Sequence, residues 1–296
     1  MWSFLRVRRF FSLMCFSLLL VLLVACGSRS ETAVLPTPTL PATFTPLPSP
    51  TTPVQPTTAV SQASTPEPSE AEIGNSAEEA ILILQPGPGS RIVNGPLQVS
   101  GVADSTFEQN LVIRLLLADG TELVLTPTTI QAELGQRGPF AVDIPFTVSG
   151  EQQVFVQVYA ASARDGGITH LASVGLTLAD SGTEQIVPVE PHTERIQITQ
   201  PAAGESISGG TVTVAGMALA SFEQTLVVEL LDEVGQVLSS QPVTVAAPDL
   251  GQPGPFSIEL SYDLGAAASG RIVVRDLSPA FGGEAHLASV EVMLTP

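Results

Sequence analysis

GPFAVDIPF, at residues 138–146, returns 116 positions later as GPFSIELSY, at residues 254–262. In both stretches an aliphatic or aromatic residue stands at every second position, with small, polar or proline residues between. A period of two places alternate side chains on opposite faces of a β-strand, so each stretch predicts a strand with one buried face. Because the pattern occurs twice, it also indicates two copies of one β-domain.

The repeat extends well beyond this strand. Residues 83–120 match residues 198–235 at an offset of 115, with prolines, glycines and apolar residues in the same order. The pentapeptide HLASV occurs unchanged at residues 170–174 and 286–290. Each copy is far longer than the unit of a solenoid or a propeller, which favours tandem domains.

Seven strands fit into the first copy. Its apolar segments are separated by turn sequences such as Asn94-Gly95 and Asp119-Gly120, and no stretch has the periodicity of a helix. The predicted strands cover residues 81–84, 97–103, 109–117, 121–126, 140–147, 153–160 and 170–178. This spacing is typical of a small antiparallel β-sandwich. The sequence therefore predicts an all-β chain with two tandem domains, at residues 81–179 and 195–296.

The turn and core residues of each copy resemble a known family, the immunoglobulin-like domain of bacterial spore germination. In the first copy they are Ile83, Pro86, Gly89, Val99, Gly101, Ala103, Phe107, Glu108, Gly138, Phe140, Ser162, Arg164, Asp165 and Gly166. The second copy keeps all but the last group, which there reads SPAFG at residues 278–282. The resemblance implies immunoglobulin-like sandwiches in an extracytoplasmic lipoprotein. It implies no ligand, and the process in the family's name is not transferred to this chain.

The N-terminus predicts a bacterial lipoprotein. Three arginines precede an apolar run at residues 10–24, which is too short to cross a bilayer comfortably. The sequence LVAC at residues 23–26 resembles a lipobox. We expect a signal peptide at residues 1–25 and lipid on Cys26, which would anchor the protein to the extracytoplasmic face of the cell membrane. An uncleaved anchor helix with an incidental cysteine is the alternative.

A linker follows the cysteine. Residues 31–70 contain ten prolines and ten threonines. Because proline fixes φ and removes a backbone donor, residues 26–80 are predicted to form a disordered Pro/Thr-rich linker that lifts the domains off the membrane. A proline-rich peptide ligand and an O-glycosylated stalk are alternatives.

The charge of the chain restricts its partners. The formal net charge is −18, and the chain contains no lysine. Such a protein repels phosphate, so we expect no nucleic-acid binding and contact with the membrane only through the lipid. The remaining partner is an unidentified protein or component of the cell envelope.

Few residues are candidates for chemistry. His170 and His286 are equivalent and have no second ligand at metal spacing, so we expect each to make a structural hydrogen bond at a turn. Asp165 is expected to be a turn residue, while Glu108 and Glu223 are expected to orient a loop. Contact with a partner is the alternative for all three carboxylates. Contact with Ca²⁺ is a further alternative for Asp165, but the sequence has no Asp-x-Asp-x-Asp-Gly loop for such a site. Motifs of nucleophilic, zinc or nucleotide chemistry are missing, so we expect no catalytic residue, no metal and no cofactor.

Two functions fit these features. The first is a non-enzymatic surface lipoprotein whose tandem domains serve as a binding or spacer module. The second is a hydrolase of cell wall or glycan that uses Glu108, Asp143 or His170 as acid or base. The single Trp lies in the predicted signal peptide, and the chain has only two Tyr. Since glycan sites usually stack sugars on aromatic rings, this composition favours the first function.

Phe107 and Phe222 stand at equivalent positions before a predicted central strand. We expect both rings to be buried, so that truncation to Ala would cost ~3–5 kcal/mol. Exposed Phe-Glu pairs in both copies would instead indicate an edge that binds a partner.

Overall fold

The computed structural model describes residues 78–220 and 223–296. This part of the chain consists of sixteen β-strands and one 3-10 turn, and it contains no α-helix. The prediction of an all-β chain is therefore confirmed. The predicted signal peptide, Cys26, most of the linker and Phe222 lie outside the described residues.

The first copy contains all seven predicted strands and one more. Its strands are β1 Ile81–Gln85, β2 Arg91–Val93, β3 Leu97–Ala103, β4 Asn110–Leu117, β5 Glu122–Thr129, β6 Gly138–Ile144, β7 Glu151–Ala161 and β8 Ile168–Ala179. The additional strand, β2, pairs in parallel with the end of β8. It has only three residues, which is too short to show a period of two.

The second copy repeats this order. Its strands are β9 Ile196–Gln200, β10 Ser206–Ile207, β11 Thr211–Ala218, β12 Thr225–Leu231, β13 Val237–Thr244, β14 Gly254–Ser261, β15 Ala268–Leu277 and β16 Glu284–Leu294.

Each copy is a sandwich of a small and a large sheet. The small sheets have the strand orders β1-β3-β6 and β14-β11-β9. In β6 of the opening stretch, Phe140 and Ile144 are buried in the core of the first copy, whereas Pro139 and Asp143 are exposed. This is the alternation that the sequence predicts. Gly101 allows the close approach of β1 and β3, because a Cβ there would clash with the carbonyl of Leu82.

The large sheets of the two copies are continuous. Their strand order is β13-β12-β15-β16-β8-β7-β4-β5. The copies meet where β8 pairs antiparallel with β16, with Leu171 opposite Leu287 and each His opposite an Ala of the other copy. The repeated His-Leu-Ala sequence thus pairs with itself about a local two-fold relation. We call this strand pair, with the side chains packed on it, the seam.

The segment between the copies binds to the first copy. The amide of Gly87 donates to the carbonyl of Val187 at 2.6 Å, and the amide of Val189 donates to the carbonyl of Leu84 at 3.1 Å. Arg91 and Gln185 exchange two backbone hydrogen bonds. These contacts fix the path of the chain up to the start of the second copy.

Candidate functional site

A 3-10 turn, Phe107–Gln109, precedes β4. Its Glu108 and Gln109 have φ angles of 53° and 58°, in the left-handed region that residues with a Cβ rarely adopt. The equivalent Glu223 and Gln224 have φ angles of 48° and 52°. Such strain persists only where the surrounding structure enforces it, and it is often found at functional sites. The same strained turn is therefore built into both copies.

Gln109 holds this turn in the first copy. Its side chain is buried, and its Nε2 donates to the carbonyls of Glu133 and Gln136, each at 2.9 Å. The main-chain carbonyl of Gln109 accepts from the amide of Ile130 at 2.8 Å. The anchor of the turn is thus a glutamine that sequence analysis did not single out. The only signal for it was that the triplet Phe-Glu-Gln occurs in both copies.

The predicted burial of Phe107 is wrong. The residue is 59% exposed. The left-handed backbone at the next two positions lets Gln109 enter the protein, and the ring lies at the surface. Phe222 lies outside the described residues, so the prediction for its ring stays open.

Phe107 forms one wall of an open cleft with a volume of about 470 Å³. We call it the Phe107 cleft. It is lined by Ala80, Ile81, Asp104, Ser105, Thr106, Phe107, Ala160, Ala161, Ser162, Ala163, Arg164, Thr169, His170, Ser289 and Glu291. Because Ser289 and Glu291 belong to the second copy, the cleft in this form depends on the seam.

The three predicted partner-contact carboxylates lie in different surroundings. Glu108 and Glu223 are exposed on the two strained turns. Asp165 lies in the turn between β7 and β8, where it accepts from the amide of Gly167 at 3.0 Å. Its buried carboxylate also accepts from Arg271 of the second copy at 2.8 Å. Burial raises the pKa of Asp165, but the hydrogen bonds from Arg271 and Gly167 and the charge of Arg271 together outweigh burial and lower the pKa to about 2.

All three histidines of the chain contact two glutamates near the seam. His170 Nε2 lies 3.2 Å from a carboxylate oxygen of Glu194, and His286 Nε2 lies 3.3 Å from one of Glu79. His192, between the copies, places Nδ1 2.7 Å from the other oxygen of Glu79. His170 and His286 lie near the starts of strands β8 and β16, but their partners are carboxylates of the segments before the two copies and not groups of a turn. Their contacts connect the seam to the segments that lead into each copy.

Burial controls the charges in this cluster. It raises the pKa of Glu79 to about 7 and lowers the pKa of His286 to about 3. Burial also raises the pKa of Glu194, but the hydrogen bond and charge of His170, together with the backbone amides of Ala80 and Ile196, outweigh burial and lower the pKa of that carboxyl. At neutral pH the imidazole of His286 is therefore uncharged.

The described residues do not assemble a recognisable catalytic or metal site. Glu108 lies on an exposed turn, Asp143 is exposed on β6, and His170 lies in the seam, without a described contact among them. No group of three His, Cys, Asp or Glu side chains in residues 78–220 and 223–296 is placed to hold a metal ion. The same residues also include no helix with the length and apolar character needed to cross a membrane.

The family resemblance is confirmed. The family model for the immunoglobulin-like domain of bacterial spore germination matches residues 80–167 and 195–283. These segments make up more than half of the chain, so the chain belongs to this family. Membership supports a non-catalytic binding or spacer module in general terms. No curated protein is significantly similar to this chain.

Solved structures show only distant likenesses. Red sea bream transglutaminase is 9% identical, with a TM-score of 0.27, over 73% of this chain and 31% of the enzyme. Dimeric latent PorU from Porphyromonas gingivalis is 14% identical, with a TM-score of 0.26, over 74% of this chain and 20% of PorU. The E. coli chaperone DraB is 10% identical, with a TM-score of 0.23, over 72% of this chain and 97% of DraB. At these TM-scores, none of the likenesses carries an argument about function.

Proposed function

We propose that this chain is a non-enzymatic, lipid-anchored protein of the bacterial cell envelope. Its two immunoglobulin-like domains form one rigid binding or spacer module on the extracytoplasmic face of the cell membrane. The observation that carries the proposal is the continuous sheet across the seam, because it fixes the two domains relative to each other.

Several kinds of contact support this rigidity. Beside the paired backbones, Leu171, Leu231, Val273 and Leu287 form a buried apolar cluster. The Oγ of Ser289 donates to the carbonyl of Thr169 at 2.8 Å, and Gln157 Nε2 donates to the carbonyl of Glu284 at 2.5 Å. Domains of one chain generally move relative to each other unless their interface is extensive and apolar. A shared sheet with a buried apolar cluster supports a fixed arrangement of the two domains.

The sequence before the domains supports the setting. A lipobox at Cys26 would tether the chain, and the Pro/Thr-rich residues 31–70 would carry the module away from the bilayer. The net charge of −18 would keep the module off anionic headgroups, so the lipid would be the only membrane contact.

Metabolic labelling with a fatty acid tests the anchor. The wild-type chain should incorporate label and fractionate with membranes, whereas Cys26→Ser should remain an unlabelled precursor. Cys15→Ser is the matched control, because Cys15 lies within the predicted signal peptide, and it should mature normally. Label on the Cys26→Ser protein would contradict the proposal.

Spin labels test the rigid module. Thr129→Cys on β5 and Thr244→Cys on β13 occupy equivalent exposed positions at the two outer edges of the continuous sheet. Pulsed electron spin resonance on the doubly labelled chain should give one narrow distance distribution. A broad distribution, as two freely moving domains would give, would contradict a rigid module.

A further inference from the structure

The Phe107 cleft combines features that a single surface phenylalanine does not have. Gln109 fixes the backbone that presents the ring, so the exposed side chain belongs to an ordered turn. The cleft beside it, of about 470 Å³, has the volume of a pocket that receives a ligand group. An exposed ring at the edge of a preformed cleft is where a partner would bury apolar surface.

Three of the hydroxyl groups around the cleft already donate to backbone carbonyls. Thr106 Oγ1 donates to the carbonyl of Asn110 at 2.7 Å, and Thr169 Oγ1 donates to that of Ala160 at 3.2 Å. Ser289 Oγ donates across the seam to the carbonyl of Thr169 at 2.8 Å. These three hydroxyls have used their donors, and the Phe107 ring and the alanines supply the apolar part of the surface that remains for a ligand. That surface suits an apolar side chain better than a sugar.

Two carboxylates, one arginine and one histidine are among the residues that line the cleft. Asp104 and Glu291 lie on opposite sides of the seam. Both already pair with arginines outside the lining, Asp104 with Arg137 at 2.5 Å and Glu291 with Arg271 at 3.3 Å. Arg164 is itself held near two carboxylates, 3.5 Å from Asp165 and 3.7 Å from Glu291. The preference for a cationic ligand therefore comes from the net charge of −18 of the whole chain, which attracts positive charge to its surface.

The second copy does not reproduce these charges. The positions equivalent to Asp104, Arg164 and Glu291 are Leu219, Ala280 and Gly175. The charged lining therefore belongs to one side of the two-fold relation, as expected of one specific site and not of a repeated packing contact.

We infer that the Phe107 cleft binds an extended segment of a protein partner, which inserts an apolar side chain beside Phe107 and carries Lys or Arg next to it. This inference rests on the proposed function of a binding module. It names the partner by its chemistry, an apolar residue flanked by positive charge.

Selection from a displayed library of random heptapeptides on the full lipoprotein in detergent tests the inference. We expect enrichment of peptides with an aromatic or aliphatic residue next to Lys or Arg. Phe107→Ser should lower the affinity for a selected synthetic peptide by about tenfold or more, because the ring supplies most of the apolar contact. Asp104→Asn should lower the affinity for the same peptide by about threefold, and added salt should reduce the difference in affinity between this variant and wild type.

Leu125→Ser is the matched control, since Leu125 is 54% exposed on β5 and does not line the cleft. It should change affinity less than about twofold, and thermal melting should show that all variants are folded. Peptides that bind Phe107→Ser as tightly as wild type would contradict binding in the Phe107 cleft, but they would still be consistent with a binding module. Selection of acidic peptides would overturn the inference, and so would a selection on wild type that enriches no peptide beyond those enriched on Phe107→Ser. The lipid-labelling and spin-label experiments test the proposed function separately.

Discussion

Two turns reach across the seam in the same way but with different chemistry. In the β7–β8 turn of the first copy, Asp165 bonds Arg271 of the second copy at 2.8 Å. In the β15–β16 turn of the second copy, Phe281 stacks on Phe155 of the first copy, with ring centroids 4.0 Å apart. Residues 155 and 271 are equivalent at an offset of 116, and so are 165 and 281. One ion pair and one aromatic stack therefore occupy equivalent places.

The strands of the seam fix the distance between the two positions of each contact. The comparison shows that either an ion pair or an aromatic pair can occupy those positions, provided that both side chains of the pair change together. If each copy paired with a second copy of itself, Asp165 would face Phe155 in one case and Phe281 would face Arg271 in the other. Neither pairing keeps the ion pair, and the first buries a carboxylate against a ring. Mismatches of this kind give specificity by penalising the wrong partner. The seam thus favours the first copy pairing with the second.

Removal of the carboxylate from the ion pair should have the largest effect. Asp165→Ala leaves the fully buried Arg271 without its closest partner, and an unpaired buried charge costs ~3–5 kcal/mol. Chemical denaturation of the full chain should show this loss in the free energy of unfolding.

The double variant Asp165→Phe with Arg271→Phe is the matched test, because it copies the aromatic contact into the other half. It should recover most of the stability, since apolar pairs often replace buried ion pairs without loss. A double variant as unstable as Asp165→Ala would mean that the two halves are not interchangeable.

The centre of the seam should respond to pH. The pKa of Glu79 is about 7 in the folded chain and 4.5 ordinarily, so its contribution is full below pH 4.5 and is lost as pH rises to 7. His286, at about 3 against 6.5, contributes fully above pH 6.5 and loses its contribution as pH falls to 3. Between pH 4.5 and 6.5 the two slopes oppose each other and largely cancel.

Glu79→Gln should reveal the histidine alone. The free energy of unfolding of the variant should rise between pH 4.5 and 6.5 by up to ~1.4 kcal/mol per pH unit relative to wild type. Denaturation midpoints across this range measure the slope. A variant whose profile parallels that of the wild type would show that Glu79 does not hold the proton.

The strained turn is present in both copies, and loss of its anchor should destabilise the chain less than loss of the ion pair. Gln109→Ala removes the donor that joins the turn to two carbonyls, which should cost ~1–3 kcal/mol. Gln136→Ala, on an exposed side chain of the loop that supplies those two carbonyls, should be nearly neutral. Equal denaturation midpoints for the two variants would contradict the role of Gln109 as anchor.

The aromatic half of the seam should tolerate truncation better than the ionic half. Phe281→Ala should cost ~1–2 kcal/mol, because the half-buried rings lose contact area and stacking but leave no unpaired charge. The free energy of unfolding measures it, with Phe281→Leu as the milder control. A loss as large as that of Asp165→Ala would remove the distinction between the two halves.

The strands could be predicted because a period of two reports burial directly. Phe140 and Ile144 alternate with exposed residues as the sequence indicates. The seam could not be predicted in the same way. The repeated HLASV was visible, but strand periodicity does not reveal which edges of two sheets pair. The change from Arg-Asp at residues 164–165 to Ala-Phe at 280–281 was visible too, and only the structure shows the partners that match it.

The turn at Phe107 shows a different limit. A phenylalanine at the head of an apolar strand is usually buried, so the sequence favoured the wrong side chain as anchor. The left-handed backbone at Glu108 and Gln109 has no sequence signal, because neither residue is a glycine. Such exceptions to local rules occur where a surrounding structure enforces them.

The smallest expected effect is that of Phe107→Ala. Because the ring is 59% exposed, its truncation should change the free energy of unfolding by less than about 1 kcal/mol, well below the cost of burying and then losing a core ring. Denaturation of the full chain should place this variant beside Leu125→Ala, whose side chain is 54% exposed, and clearly above Gln109→Ala in stability. Phe222→Ala allows a direct comparison of the copies, because Phe222 begins the same Phe-Glu-Gln triplet in the second copy. The glutamate and glutamine of that triplet also have left-handed backbone angles. Two small effects would mean that both copies present a ring to solvent. A large effect at Phe222 alone would mean that the turns share a backbone but that only the first copy keeps its phenylalanine free for a partner.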